Sequence, residues 1–263
     1  MESDANGRAD PFYRKLDYLC SEVVRALKAI EALQRRFFPP KIPSLQEEVL
    51  PLLPSLEQAR RDTRKMEPSG GFAGVREGLD RSAGLVAEAL ELITTSSRSD
   101  MERTVIQVLQ GLRKSCRAQE QLFSLRWALP TINRFFLEPE VRDRASELDP
   151  DPAPRADSGL RHVGTDRDPY ARGAYSLYVP ESYDGSQAWP LVTALHGGFG
   201  HGRDFLWTWL REARSRRFLL LAPTSLGTTW SLLMPQIDGA AIAAVVDQVR
   251  EKWNVDSDRM LLT

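Results

Sequence analysis

The segment His196-Gly197-Gly198-Phe199-Gly200 has the residue types in this chain that are best suited to chemistry. It follows the apolar run 189–195, so it lies where a buried strand is expected to end. Glycines let the main chain turn tightly, so that amide hydrogens and not side chains point towards a ligand. A His-Gly-Gly tripeptide also closes ordinary turns, and on the tripeptide alone that interpretation stays open.

This strand and its glycine loop resemble the His-Gly-Gly-Gly-type motif of lipases and esterases in the α/β-hydrolase superfamily. The segment 254–263 is similar to the stretch that leads into Gly-x-Ser-x-Gly in polyhydroxybutyrate-depolymerase, feruloyl-esterase and dienelactone-hydrolase-like esterases. The elements between the two segments, a helix, a strand and another helix, also fit that family. The resemblance covers residues 174–263 only and implies the first half of a hydrolase sheet.

The resemblance implies an oxyanion hole in the glycine loop. Its first candidate donor is the backbone N–H of Gly198, and the second is that of Phe199, which would serve if the turn is shifted by one residue. His196 and Gly197 would border the substrate.

The loop 223–230 follows the next predicted strand, at the edge where α/β sheets bind ligands. In similar esterases this loop borders the substrate pocket, so Ser225 and Trp230 are predicted to line it. An equally good interpretation is that Trp230 covers the end of the sheet.

In this family the triad follows the order Ser, Asp or Glu, His, with the serine on the turn after the strand that ends near Thr263. Residues 1–263 contain no Gly-x-Ser-x-Gly. The triad is therefore expected beyond Thr263, and the chain as it stands is predicted to be inactive. Both His196 and His201 precede that turn, so we expect a packing role for His196 and an exposed polar role for His201.

Apolar periodicity predicts alternating strands and helices in the second half of the chain. The predicted strands are 174–179, 189–195, 218–222 and 259–263, and the predicted helices are 203–215 and 235–253. The apolar face of the first of these helices is predicted to hold Phe205, Trp209 and Ala213. That of the second is predicted to hold Ile237, Ala241, Ala244, Val245, Val249 and Trp253.

The first half of the chain repeats a helical pattern. Asp10 and Pro11 predict a capped helix start, the proline pair 39–40 predicts its end, and Pro51 and Pro54 are expected to kink or split the second segment. The apolar residues of the four segments step by three and four within 12–37, 45–59, 75–93 and 101–119, with breaks at 68–71 and 94–99. An antiparallel helical bundle is predicted for residues 1–147, followed by a Pro/Asp-rich linker at 148–173.

Composition excludes several functional classes. The 35 basic and 36 acidic side chains nearly cancel, which argues against nucleic acid and anionic membranes as partners. Cys20 and Cys116 have no metal-ligand spacing and are expected to be buried, reduced thiols. The sequence shows no leader pattern and no long apolar stretch, so a cytoplasmic location without a transmembrane segment is expected.

The sequence thus predicts an α + α/β chain, a helical bundle followed by the first half of an α/β-hydrolase sheet. By resemblance, its function is that of a serine esterase that cleaves small-molecule or lipid-like carboxylic esters through an acyl-enzyme, with no metal or cofactor. The helical bundle would promote homo-oligomerisation or bind a protein partner. One alternative is a non-catalytic interaction protein with a degenerate hydrolase half, and another is a thioesterase or acyltransferase of the same fold.

Overall fold

The computed structural model describes residues 10–68, 71–95, 100–149, 155–164, 168–231 and 234–263. They form two compact units, Met1–Phe135 and Phe136–Thr263. Parts of several predictions fall outside the described residues: the N-terminal residues 1–9, the breaks at 69–70 and 96–99, and positions 150–154 and 165–167 of the predicted linker.

The first unit is helical. Its helices are α1 (Pro11–Arg35), α2 (Ile42–Val49), α3 (Leu52–Arg64), α4 (Ala73–Thr94), α5 (Met101–Phe123) and α6 (Pro130–Phe135), with a 3₁₀ turn at Pro39–Lys41. The predicted cap of α1 is confirmed, because the Asp10 carboxylate accepts the Phe12 N–H at 2.8 Å. The predicted split is also confirmed, since Pro51 lies between α2 and α3.

The helices α4 and α5 pack closely in an antiparallel pair. The Ser82 hydroxyl donates to the Ala118 carbonyl at 3.0 Å, while a β-carbon on Gly111 would lie 2.7 Å from Ile93. Cys20 and Cys116 are buried and not disulfide-bonded, as expected, and burial raises the pKa of Cys20 to about 12. None of the described helices is long and apolar enough to cross a membrane.

The second unit is a mixed α/β structure. Its strands are β1 (Gly159–Val163), β2 (Tyr175–Val179), β3 (Trp189–Thr193), β4 (Leu219–Pro223) and β5 (Val255–Leu262). Its helices are α7 (Ala145–Leu148), α8 (Gly202–Arg216) and α9 (Pro235–Lys252), with a 3₁₀ turn at Pro139–Arg144. The predicted alternation of strands and helices is confirmed, whereas β1 lies inside the predicted linker and was missed.

The five strands lie in the order β1-β2-β4-β3-β5. Strand β3 pairs in parallel with both β4 and β5, and β2 pairs antiparallel with β1 and β4. One face of the sheet carries Leu177, Leu191 and Leu221 and is covered by Val249 of α9. Because strand side chains alternate, Tyr178 and Leu220 point to the other face, and α8 packs against β2 and β4.

The predicted apolar face of α8 was partly wrong. Phe205 and Trp209 are only half-buried, whereas the buried side chains are Asp204, Leu206, Trp207, Leu210, Ala213 and Arg214. The sequence pattern favoured the wrong face of the helix because apolar residues occupy neighbouring positions, and apolar spacing carries no signal for the burial of a charged residue such as Arg214.

The predicted face of α9 holds only at its C-terminal end, since Ala244 is exposed and Ala241 is half-buried. Val249 is fully buried, and Val245 and Trp253 pack beside it, but Ile237 is 42% exposed.

Segment 136–149 belongs to the second unit because an ion pair, an aromatic contact and a hydrogen bond join it to α8. The guanidinium of Arg214 forms a buried ion pair with Asp149, and Phe136 contacts the Trp207 ring with centroids 6.1 Å apart. The Glu138 N–H also donates to the Ser215 hydroxyl at 2.8 Å. These contacts place the division of the chain at 135/136, earlier than the predicted end of the helical domain at 147.

Candidate functional site

The glycine loop follows the carboxyl end of β3 and lies beside the loop that follows β4. The chain leaves β3 towards β4 on one side and then returns to β5 on the other. In open α/β sheets such a reversal of strand order leaves a crevice at the carboxyl ends of the strands, where ligands bind. The reversal lies between β3 and β5, so residues 196–200, which follow β3, form one side of that crevice. Residues 224–230 follow β4, the other neighbour of β3, and lie behind the glycine loop.

His196 joins the two loops. Its Nε2 accepts the Ser225 N–H at 3.1 Å, so the proton is on Nδ1, which donates to the Gly197 carbonyl at 2.7 Å. The ring stacks on Trp230 with centroids 4.7 Å apart, and the Trp230 indole donates to the His196 carbonyl at 2.7 Å. His196 is thus buried and shapes the loop, which confirms the expected packing role.

The two candidate oxyanion donors differ in whether their N–H groups already make a hydrogen bond. The Phe199 N–H donates to the Thr228 carbonyl at 3.0 Å and is therefore engaged. The Gly198 N–H makes no hydrogen bond to any residue that the structure describes. Space is also open around this residue, since a β-carbon on Gly198 would come no nearer than 3.8 Å to Thr229. Of the two amides, the one of Gly198 is available to a ligand.

The backbone of the loop is strained at Phe199 and crowded at Gly200. Phe199 has a φ of +58°, in the left-handed region that L-residues other than glycine avoid, and its side chain is 69% exposed. A β-carbon on Gly200 would lie 2.9 Å from the Gly197 carbonyl oxygen, so only glycine fits there. Strained backbone of this kind occurs often at ligand sites.

Ser225 is fully buried beneath the loops. Its hydroxyl donates to the Gly227 carbonyl at 2.8 Å, and its N–H is bound by His196. The guanidinium of Arg172 donates to the Gly200 carbonyl at 2.8 Å and lies 3.3 Å from the Ser225 hydroxyl. Ser225 and Arg172 therefore act together to hold the two loops in place.

Asp238 holds the loop that follows β4 through two hydrogen bonds, and the sequence did not predict this role. This buried residue of the first turn of α9 accepts the Leu226 N–H at 3.2 Å and the Ser231 N–H at 2.5 Å. An acidic residue in the first turn of a helix is a common signal, but it is normally explained by the helix dipole. Nothing local indicates that this carboxylate holds a loop seven and twelve residues before it.

The prediction that His201 is exposed was wrong. The residue is 8% exposed and caps α8, where its Nδ1 accepts the Arg203 N–H at 3.0 Å. Its Nε2 faces the Ala171 carbonyl at 3.4 Å. Burial, together with the nearby cations Arg172 and Arg203, lowers the pKa of His201 from 6.5 to about 4. The imidazole is held neutral because its cap position requires an acceptor.

His162 lies at an exposed position of β1, and its Nδ1 is 2.7 Å from the Ser176 hydroxyl on β2. Neither residue lies in the glycine loop or in the loop that follows β4. No cluster of three or more metal-ligating side chains occurs in the described ranges.

The fold defines a helical unit joined to a unit with a mixed five-stranded sheet. Comparison with known proteins gives no match: no family model, no curated protein and no solved structure matches this chain. The hydrolase resemblance of residues 174–263 therefore stays a prediction from sequence.

Proposed function

We propose that the second unit is the oxyanion-binding half of a serine hydrolase that cleaves carboxylic esters. The observation that carries this proposal is the Gly198 N–H, which is open at the carboxyl edge of the sheet while the neighbouring Phe199 N–H is engaged. A preorganised amide of this kind stabilises the negative charge that develops on a carbonyl oxygen during acyl transfer.

The position of the end of β5 supports the proposal. The Leu195 N–H donates to the Thr263 carbonyl at 2.7 Å, and the Thr263 N–H donates to the Thr193 carbonyl at 3.0 Å. The end of β5 therefore lies beside the chain that enters the glycine loop. A serine on a turn after Thr263 would emerge at the edge that also carries Gly198.

In the proposed reaction the serine attacks the ester carbonyl and forms a tetrahedral intermediate, whose oxygen accepts the Gly198 N–H. Collapse releases the alcohol and leaves an acyl-enzyme, which water then hydrolyses to the acid. Residues 1–263 contribute the donor and the rigid loops that aim it, while the nucleophile and base come from residues after Thr263. A thioesterase or acyltransferase would use the same donor, and the ester is the substrate class that we propose.

The test compares residues 1–263 with the natural reading frame extended beyond Thr263. We expect the longer chain to hydrolyse p-nitrophenyl butyrate and to react with a fluorophosphonate, and residues 1–263 to do neither. In the longer chain, Gly198→Pro removes the N–H and should lower kcat by about 100-fold or more. Gly198→Ala keeps the N–H in a position with room for a β-carbon and should change kcat by less than about fivefold.

Three results would contradict the proposal: a longer chain that does not react, ester hydrolysis by residues 1–263 that a fluorophosphonate abolishes, or equal activities of the Pro and Ala variants. Circular dichroism of each variant ensures that a loss of activity is not a loss of fold.

A second candidate function is that of an interaction protein, and the exposed side chains of β5 favour it. Met260, Leu261 and Leu262 are 40%, 55% and 60% exposed on a strand that ends the sheet. Exposed apolar residues on an edge strand are typical of a surface that another chain covers. In this case the longer chain would show no esterase activity.

A further inference from the structure

A cavity of about 620 Å³ lies on the α9 face of the sheet, along β1 and β2. Its lining residues come from β1, β2, the chain just before β1, and the end of α9. We refer to it as the β1 groove. It is separate from the glycine loop, none of whose residues lines it.

The floor of the β1 groove is aromatic and apolar. Register pairs Val163 with Tyr175 and Arg161 with Leu177, so these side chains lie on one face of the sheet. Trp253 closes the groove at the end of α9, where its indole N–H donates to the Asp157 carbonyl at 2.8 Å. A flat or apolar molecule could therefore pack against Leu177, Tyr175 and the Trp253 ring.

Two cations of the β1 groove have no ionic partner. Arg161 and Lys252 both line it, and neither forms an ion pair with any residue in the described ranges. The Arg161 guanidinium lies 5.5 Å from the centre of the Trp253 ring, and its Nη2 donates to the Ala156 and Ser158 carbonyls. Its buried Nε has no hydrogen-bond partner among the described residues. Asp157 is the one acidic side chain of the lining. Its carboxylate forms a bidentate ion pair with Arg155, in which Nε and Nη2 donate at 3.1 and 2.9 Å, so its charge is neutralised. The groove thus carries a local excess of positive charge.

Tyr175 adds a hydrogen-bond donor. The residue is only 9% exposed, and its hydroxyl makes no hydrogen bond to any described residue, although the residue lines the groove. Burial raises the pKa of this phenol, so the hydroxyl stays protonated near neutral pH. The hydroxyl is therefore a donor that a ligand acceptor in the groove can engage.

We propose that the β1 groove is a binding site for a small organic anion with an aromatic body. The anionic group pairs with Arg161 and Lys252 and accepts the Tyr175 hydroxyl, while the flat body packs against Leu177 and Trp253. The volume lies in the range of small-molecule sites, which combine apolar walls with a few placed polar groups. This inference does not rest on the proposed esterase activity.

The probe is 2-naphthoate, titrated into residues 1–263 by isothermal calorimetry, with 2-naphthamide as the uncharged analogue of the same shape. We expect saturable binding of one 2-naphthoate per chain and at least about tenfold weaker binding of the amide, because the amide lacks the charge that the two cations recognise. Acetate should bind more weakly than 2-naphthoate, since it has no ring to pack in the groove.

The variant Lys252→Gln removes one cation from an exposed position and should weaken 2-naphthoate binding by at least about threefold. Arg161→Gln should do the same, and the double variant should lose detectable binding. The matched control is Arg250→Gln, on the same turn of α9 but outside the groove lining, which should change the affinity by less than about twofold. Thermal melting checks that each variant is folded.

The proposal is overturned if 2-naphthoate shows no binding up to about 5 mM, if the amide binds as well as the acid, or if Lys252→Gln and Arg250→Gln have the same affinity. None of these results bears on the Gly198 donor, so a failure here is distinct from a failure of the proposed esterase function.

Discussion

Gly202 lies so close to Ala222 that a β-carbon on residue 202 would be 2.2 Å from the Ala222 carbonyl oxygen. The first residue of α8 therefore packs on the backbone at the end of β4, and its N–H donates to the Thr224 hydroxyl at 3.0 Å. This contact fixes the start of the helix that follows the glycine loop. The position of that loop depends on the absence of a side chain at residue 202.

Gly202→Ala should be strongly destabilising, because the added methyl meets backbone atoms that cannot rotate away. We expect the free energy of unfolding to fall by about 3 kcal/mol or more, measured by urea denaturation. Gly197→Ala is the matched control: no atom lies within 4 Å of its added β-carbon, and the change should stay below about 1 kcal/mol. If the two substitutions lower the free energy of unfolding equally, the close approach of Gly202 to the Ala222 carbonyl is wrong.

His201 should make stability depend on pH. Its pKa is about 4 in the folded chain and near 6.5 when unfolded, so the unfolded chain binds more protons between these values. The stabilisation is fully present above about pH 6.5 and is lost as the pH falls towards 4, by about 2 kcal/mol between pH 7 and pH 5.

His201→Asn keeps an acceptor at the cap and removes the titrating ring, so it should flatten this part of the pH profile. The measurement is urea denaturation at pH 7 and pH 5 for both chains. His162→Asn, at an exposed position of β1 away from the cap, is the matched control for the loss of an imidazole. If the free energy of unfolding of His201→Asn falls as much between pH 7 and pH 5 as that of the wild type, His201 is not the group responsible.

Phe199→Gly should stabilise the chain, because glycine adopts a φ of +58° without strain and the Phe199 side chain is 69% exposed. We expect a gain of about 0.5–1 kcal/mol in the free energy of unfolding, after the greater entropy of glycine in the unfolded chain is included. Phe199→Ala keeps the β-carbon and should show no gain. If the Ala and Gly variants are equally stable, the left-handed conformation at residue 199 is wrong.

Arg214→Met should be severely destabilising, because it leaves the Asp149 carboxylate buried without its cation. Both side chains of this ion pair are fully buried, and Glu181 lies 3.8 Å from the Arg214 Nε. We expect a loss of about 3–5 kcal/mol, much of which the double change with Asp149→Leu should restore.

The control for the Arg214 change is Arg216→Met, at an exposed position of the same helix, which should change stability by less than about 0.5 kcal/mol. A double variant that is as unstable as the sum of its two single variants would mean that Arg214 and Asp149 are not coupled.

Strand β5 should cause self-association of residues 1–263. Leu261 and Leu262 are exposed on a strand that pairs with β3 on one side and ends the sheet on the other. Sedimentation velocity at about 100 µM should show oligomers, and Leu261→Lys should shift the population towards monomer. Ile106→Lys, at a 48% exposed position of α5, is the control and should leave the distribution unchanged. If the wild-type chain is a monodisperse monomer, the prediction that β5 causes self-association is wrong.

Much of the fold could be predicted because its signals are local. The cap at Asp10, the split at Pro51 and the strand that enters the glycine loop each depend on a few adjacent residues, and all three are present in the structure. Strand β1 was missed because its five residues follow a proline-rich segment and show no clear alternation. Its pairing with β2 is a tertiary contact that no local pattern carries.

The sequence by itself determined the helical first unit, the alternating elements of the second, and the residues from which a glycine loop is built. Only the tertiary structure decided that the Phe199 amide is engaged by Thr228 while that of Gly198 is open, that His201 is a buried cap, and that Arg214 belongs to the interior. Periodicity reports which face of an element is apolar, a property of neighbouring residues. Whether one amide or one charge finds a partner depends on groups brought together from distant parts of the chain, such as Asp149 and Arg214.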